Sequence, residues 1–430
     1  MSIRYLIGAL ILLSFTSLYT INEKEVKRII TTLSSDEMGG RSLGSEGIKK
    51  AANFISNEFE SIGLATLENE KSYFQNFYIE SKSIDVQEVT INGEALPQSS
   101  YFFKLSSSSI SWMEENKPEL IFINSNDNFQ HKAGDALSSK TDVLVIVAQS
   151  QQPMFSRYQP YFARPSMGFG ENTEEDVNIG FLLLDTDTVE SLRIEAKTSI
   201  EKKQLTNVAG VIEGKRKNEI VLYSGHYDHL GVKANAAGDS IYNGANDDAS
   251  GITAVIELAR YFKSKGKPER TLVFAAFTAE EVGGYGSKYF SKQMNPDEIV
   301  AMFNIEMIGK ESKEGLNSAW MTGWDKSNLG EILQENLGKV DFKFFEDPYP
   351  KQNLFYRSDN ATLARLGVPA HSISTTQIDI DKDYHQLSDE VETLDIANIT
   401  NTIKAIAVGS QGIVDGTQTP TRVDPDAVQD

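Results

Sequence analysis

Cysteine is absent from this chain of 430 residues. Its absence excludes a disulfide framework, thiolate ligands for a metal ion and a lipid anchor attached to cysteine. Basic residues are also few: 41 Lys and Arg stand against 61 Asp and Glu, which gives a formal net charge of −20. Proteins that bind nucleic acid need a basic face, and so do proteins that dock on anionic lipid. The composition therefore predicts neither kind of partner.

One uncharged segment lies near the amino terminus. Arg4 supplies a positive start, and Tyr5–Tyr19 is uncharged and mostly apolar. This apolar run is too short for a comfortable membrane span, which favours a secretory signal peptide. We therefore predict a signal peptide over residues 1–20, export to the periplasm or the medium, and no stable membrane insertion after cleavage. An uncleaved anchor is the alternative.

Four short apolar runs in the second half of the chain have the character of buried strands. They are Ile220–Tyr223, Thr271–Phe277, Ala301–Ile305 and Val368–Ser374. Continuous apolar strands separated by helical patterns indicate a parallel sheet covered on both faces. The sequence therefore predicts an α/β fold with a mixed, largely parallel central sheet and helices on both faces.

The segment between residues 85 and 200 has a different pattern. Its β-branched stretches are separated by Asn, Ser and Gly clusters, which predicts a small inserted β-rich domain. The main domain then comprises residues 21–84 and 201–412, and the acidic, turn-rich residues 413–430 are expected to form a disordered tail. Within the insertion, the aromatic segment Phe155–Phe169 is interpreted either as a lid or as a surface loop packed on its own side chains.

Acidic and histidine residues follow or flank the predicted strands. The set comprises His226, Asp228, Asp247, Asp248, Glu280, Glu281, Glu306 and His385. In open α/β sheets the ligand site lies beyond the carboxyl ends of the strands, which is where these residues fall. Any one of them is best interpreted as a solvated loop residue. The whole set placed alike predicts a metal site, because His, Asp and Glu bind zinc where no cysteine is available.

Five segments carry a family resemblance. They are His226-x-Asp228, Gly-Ala-Asn-Asp247-Asp-Ala-Ser-Gly, Ala-Glu280-Glu281-x-Gly-x-x-Gly-Ser, Asn-x-Glu306-Met-Ile-Gly and Tyr384-His385-x-x-x-Asp. Together they resemble the co-catalytic di-zinc aminopeptidases, whose family includes glutamate carboxypeptidase, the transferrin receptor ectodomain and, more distantly, glutaminyl cyclases. The resemblance runs from Leu33 to about Asp395, and the insertion loosely resembles the protease-associated insert of this family.

The resemblance implies a role for each matching residue. Two zinc ions are expected, bridged by Asp247. His226 and Glu306 would complete one site, and Glu281 and His385 the other. The resemblance makes Glu280 the general base. Tyr384 would donate its hydroxyl to the oxyanion.

Other residues of these segments receive weaker interpretations. Asp228 is expected to orient His226 by accepting its second ring N–H. His229 shares that loop but lacks a ligand position in the family pattern, and His371 is interpreted as a core histidine. Two positions depart from the pattern: Glu306 stands where Asp is commoner, and Asn360 where His is frequent.

The predicted function is that of an exported zinc exopeptidase, foremost an aminopeptidase acting on peptides. A glutaminyl cyclase-like acyl transferase is one alternative, but a complete two-metal set disfavours a one-zinc enzyme. A receptor-like relative without activity is the other. The presence of suitable residues at every ligand position and at the base opposes it.

Overall fold

The structure, a computed structural model, describes residues 19–170, 177–234 and 238–428. Residues 1–18, which carry most of the predicted signal peptide, lie outside these ranges, so export stays a prediction. Across the described residues, none of the helices combines the length and the apolar character needed to cross a bilayer.

Helices and strands alternate along the second half of the chain. The α-helices of the described residues are α1 (Glu23–Leu33), α2 (Glu46–Ile62), α3 (Phe129–Leu137), α4 (Gln152–Ala163), α5 (Ser250–Ser264), α6 (Tyr285–Gln293), α7 (Leu329–Leu337), α8 (Asn360–Ala364), α9 (Ile396–Gly409) and α10 (Gln411–Val414). The strands are β1 (Phe74–Ile91), β2 (Glu94–Ala95), β3 (Tyr101–Lys104), β4 (Ser109–Trp112), β5 (Glu119–Ile123), β6 (Val143–Val147), β7 (Ser166–Gly168), β8 (Ile179–Leu183), β9 (Leu192–Ile212), β10 (Arg216–His226), β11 (Gly231–Val232), β12 (Ile241–Tyr242), β13 (Arg270–Phe277), β14 (Ile299–Ile305), β15 (Ser318–Met321), β16 (Lys343–Glu346) and β17 (Ala370–Ser374).

The larger of two compact units is built on a mixed sheet. It comprises the described residues up to Phe77 and from Leu205 onward, with the strand order β16-β15-β17-β14-β10-β13-β9. β10 is parallel to β13 and β14, and β14 is parallel to β17. β9 and β15 are antiparallel to their neighbours β13 and β17. The predicted α/β fold class, with a largely parallel central sheet, is confirmed.

Each face of this sheet has its own hydrophobic core. Tyr223 of β10 belongs to a core that includes residues of α1, α2, α5, α7 and α9, whereas the adjacent Leu222 belongs to a second core that includes residues of α6 and α8. Successive side chains of a strand point to opposite faces. A run that is apolar at every position is therefore buried on both faces, as the sequence predicted.

The second unit, Tyr78–Gln204, interrupts the first. It contains a four-stranded sheet, β3-β8-β6-β5, and the helices α3 and α4. Most of the segment Phe155–Phe169, for which a lid or a surface loop was expected, belongs to helix α4, so the loop interpretation is wrong. Phe155 is fully buried, and its ring centroid lies 4.9 Å from that of Phe102. Phe155, Tyr158 and Phe162 form the packed face of this helix, whereas Tyr161 is exposed.

The carboxyl-terminal segment is ordered as far as residue 428, so the prediction of a disordered tail is wrong for the described part. Val423 and Val428 are buried in the core that covers Leu222. The guanidinium of Arg270 donates hydrogen bonds to the carbonyl oxygens of Ile413 and Gln418, at 2.8 and 2.7 Å. Apolar burial and a buried cation that needs acceptors fix a segment whose composition is polar.

The glycine-rich turn that contains Arg41 holds the loop after β10 and the loop before α5 in place. The side chain of Arg41 is fully buried, and its guanidinium donates hydrogen bonds to four backbone carbonyl oxygens. The acceptors belong to Leu33, Tyr227, Asn243 and Gly244, at 2.7, 2.8, 2.6 and 2.9 Å. Arg41 thereby ties together two loops that flank the candidate metal ligands.

Candidate metal centre

The structure brings the five predicted ligands together at one edge of the sheet. His226 ends β10, Glu281 follows β13, Glu306 follows β14, His385 lies beyond β17, and Asp247 precedes α5. The neighbouring strands β13, β10, β14 and β17 run in parallel, so their carboxyl ends meet at this edge. The topology of the sheet therefore assembles a site from residues that are distant in sequence.

Asp247 lies between two groups of side chains. Its Oδ1 atom is 3.1 Å from Nε2 of His226, which is also 3.6 Å from Oε1 of Glu306. Its Oδ2 atom is 3.2 Å from Nε2 of His385, which is also 3.1 Å from Oε2 of Glu281. Each carboxylate oxygen of Asp247 thus faces a different histidine and a different glutamate, as a bridging ligand requires.

The spacing of these atoms fits two metal ions. Zinc bonds of about 2.0–2.2 Å put two ligands of a tetrahedral ion about 3.3–3.6 Å apart. Nε2 of His226 is buried and has no hydrogen-bond partner among the described residues, although Oδ1 of Asp247 is only 3.1 Å away. A buried nitrogen without a partner is costly. Its lone pair is available to a cation lying between it and the carboxylates.

The charges of the site also favour a cation. Burial alone would lower the pKa of His226, but Glu280, Asp247 and Glu306 raise it well above its usual value. Burial raises the pKa of Glu280 far above the ordinary range, with Glu306 adding to the shift and His226 opposing it. Protons therefore balance the negative charge of this cluster, and metal ions would replace them on binding.

The prediction that the Asp228 carboxylate accepts a ring N–H of His226 is wrong. Nδ1 of His226 lies 3.2 Å from the backbone carbonyl oxygen of Asp228 and 3.9 Å from its carboxylate. The carboxylate instead accepts the backbone N–H groups of Glu280 and Glu281, at 3.1 and 3.3 Å. Asp228 thus orients His226 through its main chain and fixes the glutamate pair through its side chain.

Two further aspartates hold the backbone around Asp247. The carboxylate of Asp248 accepts the backbone N–H groups of His226 and Met307, each at 3.1 Å. Asp389 accepts those of Asn246 and Asp247, at 2.8 and 3.1 Å. Asp389 is the last residue of the Tyr384-His385-x-x-x-Asp segment. The motif thus contained the signal, but the sequence did not indicate what this aspartate holds.

His229 is the residue whose position differs most from expectation. Its ring is buried, and Nδ1 lies 2.7 Å from Oε1 of Glu281 and 4.0 Å from Oδ2 of Asp247. His229, Asp247 and Glu281 are close enough together to form a metal-binding group of their own. The sequence carried no signal for this contact, which joins loops 52 residues apart. His229 holds one oxygen of Glu281 while the other faces His385.

We expect His229→Gln to weaken metal binding at the Glu281 side of the site. Loss of a group that orients a ligand typically lowers metal affinity about 10–100-fold. Competition with a chromophoric chelator would measure both zinc affinities. The matched control is His131→Gln, because His131 is exposed on α3 and its ring pairs with Asp135 of the same helix. Unchanged zinc affinities in both variants would exclude this role for His229.

Three other residues discussed from the sequence, Tyr384, His371 and Asn360, have defined contacts in the structure. The ring of Tyr384 stacks on that of His385, with centroids 3.9 Å apart, and lines a cleft together with Glu280. His371 is a core histidine as interpreted: Nδ1 is 2.8 Å from the carbonyl oxygen of Thr322, and burial lowers its pKa to about 4. The amide of Asn360 donates to the carbonyl oxygens of Phe355 and Ala370 and supports the fold there.

The departure at Glu306 is accommodated within the site. Its backbone N–H donates to the carbonyl oxygen of Ile373 at 3.0 Å, so the main chain continues the β14–β17 pairing. From this position the longer side chain reaches within 3.6 Å of Nε2 of His226. The extra methylene lets the carboxylate reach the ligand group from the strand end.

Comparison with known proteins locates the matching region. Residues 207–409, which include all five candidate ligands, match the family described as Peptidase family M28. A probable zinc metalloprotease of Pyricularia oryzae is 37% identical over 117 residues, which is 25% of this chain and 22% of that protein. A probable zinc metalloprotease of Pyrenophora teres f. teres is 34% identical over 114 residues, 26% of this chain and 24% of that protein. The chain thus spans about a quarter of the length of these curated relatives.

Two solved structures share the fold over nearly the whole chain. An aminopeptidase from Aneurinibacillus sp. strain AM-1 superimposes with a TM-score of 0.55 at 18% identity, covering 95% of this chain and 96% of that one. A zinc aminopeptidase from Bacillus subtilis gives a TM-score of 0.55 at 16% identity, covering 93% and 97%. At these identities the likeness shows a common fold.

Proposed function

We propose that this protein, whose residues 207–409 match peptidase family M28, is a zinc-dependent exopeptidase, and specifically an aminopeptidase. The match agrees with the resemblance predicted from the motifs. The observation that carries the proposal is the position of Asp247, whose two oxygens lie 3.1 and 3.2 Å from His226 and His385. Two metal ions per chain are part of the proposal.

Each residue has a defined task in the proposed reaction. His226 and Glu306 would hold one zinc ion, Glu281 and His385 the other, and Asp247 both. Bound zinc supplies a Lewis acid that lowers the pKa of water to about 7. Glu280 accepts a proton on its carboxylate as the water oxygen forms a bond to the scissile carbonyl carbon. It returns the proton to the leaving nitrogen as the C–N bond breaks.

Contacts of the two adjacent glutamates support this division of roles. Glu281 is held by His229 at 2.7 Å and by His385 at 3.1 Å. Glu280 has its nearest histidine nitrogen 3.9 Å away, and its side chain is 14% exposed against 7% for Glu281. Glu280 also lines the cleft. The less constrained, cleft-facing carboxylate suits proton transfer, whereas the constrained one suits a ligand.

Tyr384 is the proposed donor to the oxyanion. It lines the same cleft as Glu280 and Asp247, and burial together with Asp247 and Glu281 raises the pKa of its hydroxyl. The phenol therefore stays protonated at neutral pH and can donate a hydrogen bond to the negative oxygen that forms during attack. The acidic end of the cleft suits the positively charged amino terminus of a peptide.

An assay on matched substrates tests the proposal. Purified zinc-loaded protein should hydrolyse leucyl-anilide and leave acetyl-leucyl-anilide intact, because acetylation removes the charged amino group. Cleavage of both substrates would favour a peptidase without need for a free amine. Cyclisation of a glutaminyl peptide without hydrolysis of either anilide would instead support an acyl transferase. Inactivity on all three, with two zinc ions bound, would contradict the proposed function.

A further inference from the structure

The cleft beside the candidate metal centre contains an unpaired cation. Arg357 lies in the wall of this cleft together with Glu280 and Asp247. The side chain of Arg357 is exposed, and within the ranges that the structure describes its guanidinium has no ion pair or hydrogen bond. Arg41 and Arg270, by contrast, donate to several acceptors each.

Unpaired arginine is unusual in this setting. The chain carries a formal net charge of −20, and Asp247, Glu280 and Glu306 line the same cleft. The guanidinium therefore offers up to five N–H donors to a molecule that enters the cleft.

Two hydroxyl groups that line the same cleft have no acceptor for their own protons among the described residues. Oγ of Ser358 accepts a hydrogen bond from Nδ2 of Asn304 at 2.8 Å. Oγ1 of Thr322 accepts one from the backbone N–H of Ser372 at 3.0 Å. Among the described residues neither hydroxyl has an acceptor for its own proton, so each can donate one hydrogen bond into the cleft. Arg357, Ser358 and Thr322 thus present donors to a cleft whose carboxylates, those of Asp247, Glu280 and Glu306, belong to the candidate metal centre.

Apolar side chains line the same cleft. They include Trp320, Leu354 and Ile378. Apolar surface next to a cation and two hydroxyl donors matches a ligand that has methylene groups ending in an anion. A lysine or arginine side chain placed here would meet Arg357 as a like charge.

We infer that this wall binds a carboxylate of the substrate through Arg357, Ser358 and Thr322. This inference rests on the proposed peptidase function and names its substrate class. Arginine binds a carboxylate with two parallel hydrogen bonds, which gives direction as well as affinity. The carboxylate has two sources: the side chain of an amino-terminal Asp or Glu, or the free carboxyl terminus of a dipeptide.

Two substrate pairs distinguish these sources. Glutamyl-anilide against glutaminyl-anilide tests the side chain, because an anilide has no terminal carboxylate. Leucyl-glycine against leucyl-glycinamide tests the terminus. We expect one pair to show a preference of about tenfold to a hundredfold in kcat/KM for the carboxylate member, as charge-assisted hydrogen bonds allow.

Variants connect the preference to Arg357. Arg357→Gln should abolish the preference, which is the ratio of kcat/KM within each substrate pair and is therefore insensitive to a general change in rate. Arg357→Lys should retain part of it, since lysine keeps the charge but lacks the planar fork. The matched control is Lys351→Gln, which removes an exposed positive charge outside the cleft and should leave the preference unchanged.

A binding measurement separates failure of this inference from failure of the proposed function. Calorimetric titration of zinc-loaded protein with glutarate, and with uncharged glutaramide as its match, needs no turnover. If the protein binds glutarate and Arg357→Gln weakens this binding tenfold, the inference is upheld. This holds even if the protein hydrolyses no peptide. Hydrolysis of leucyl-anilide with no preference in either pair and no Arg357-dependent glutarate binding overturns the inference and leaves the peptidase proposal standing.

Discussion

Removal of the bound metal is expected to abolish hydrolysis of aminoacyl-anilides and to lower the melting temperature of the protein. Activity is lost because Glu280 then has no activated water from which to accept a proton. Stability is lost because an ion that binds only the folded state stabilises it by linkage, by about 4 kcal/mol at a free concentration a thousand times the Kd. The carboxylates of Asp247, Glu281 and Glu306 would lose the cations that offset their repulsion.

Chelation followed by metal analysis and calorimetry tests this expectation. Zinc or cobalt added back should restore both activity and melting temperature, whereas the chelator already saturated with zinc should change neither. A preparation that contains no metal by mass spectrometry yet retains its full rate would rule out the proposed mechanism. A fall in melting temperature without loss of activity would mean that the metal is structural only.

Glu280→Gln is expected to lower kcat by about 10²–10⁴-fold while the zinc content of the protein stays unchanged. The amide has nearly the same shape as the carboxylate but does not accept the proton of the attacking water. Glu281→Gln should behave differently, because an amide is a poorer ligand and His229 would face a group of altered hydrogen-bonding character. Zinc content should fall towards one ion per chain in this second variant.

Each of these variants serves as a control for the other, because the two glutamates are adjacent in one loop. The backbone N–H groups of both donate to the carboxylate of Asp228. Damage to the loop itself would therefore affect both variants alike. Zinc stoichiometry and kcat measured on the same samples separate the roles. Loss of zinc in Glu280→Gln with retention in Glu281→Gln would reverse the assignment of base and ligand.

The central strands were predictable because consecutive residues in them are apolar, which indicates burial on both faces. β13, β14 and the segment Ile220–Tyr223 of β10 are apolar at nearly every position, and both faces of the sheet are covered. A mixed sheet was predicted, but not which of its strands are antiparallel. β15, for example, has only four residues, Ser318–Met321, and its pairing with β17 depends on contacts distant in sequence. Strand composition indicates burial but does not give the partner or its direction.

The candidate ligands were predictable because each lies in a short motif at a strand end. The contacts of the neighbouring residues were harder to predict, for two physical reasons. A sequence shows that Asp228 is near His226 but does not show that the carbonyl oxygen, rather than the carboxylate, faces the ring. It also does not show that His229 crosses to Glu281, because that contact depends on how two loops converge. The carboxyl-terminal segment, described as far as residue 428, depends likewise on a distant partner, Arg270.

Arg41 links the metal centre to the order in which the chain folds. Its guanidinium binds the carbonyl oxygens of Tyr227 and Asn243, which lie 186 and 202 residues further along the chain. At a synthesis rate of about 5–20 residues per second, the turn at Arg41 precedes these partners by roughly 10–40 seconds. Contacts between such distant residues also form slowly, because a long loop has to close first. The loops that present His226 and Asp247 therefore become fixed late, and tight zinc binding marks a chain whose two separated segments have already met.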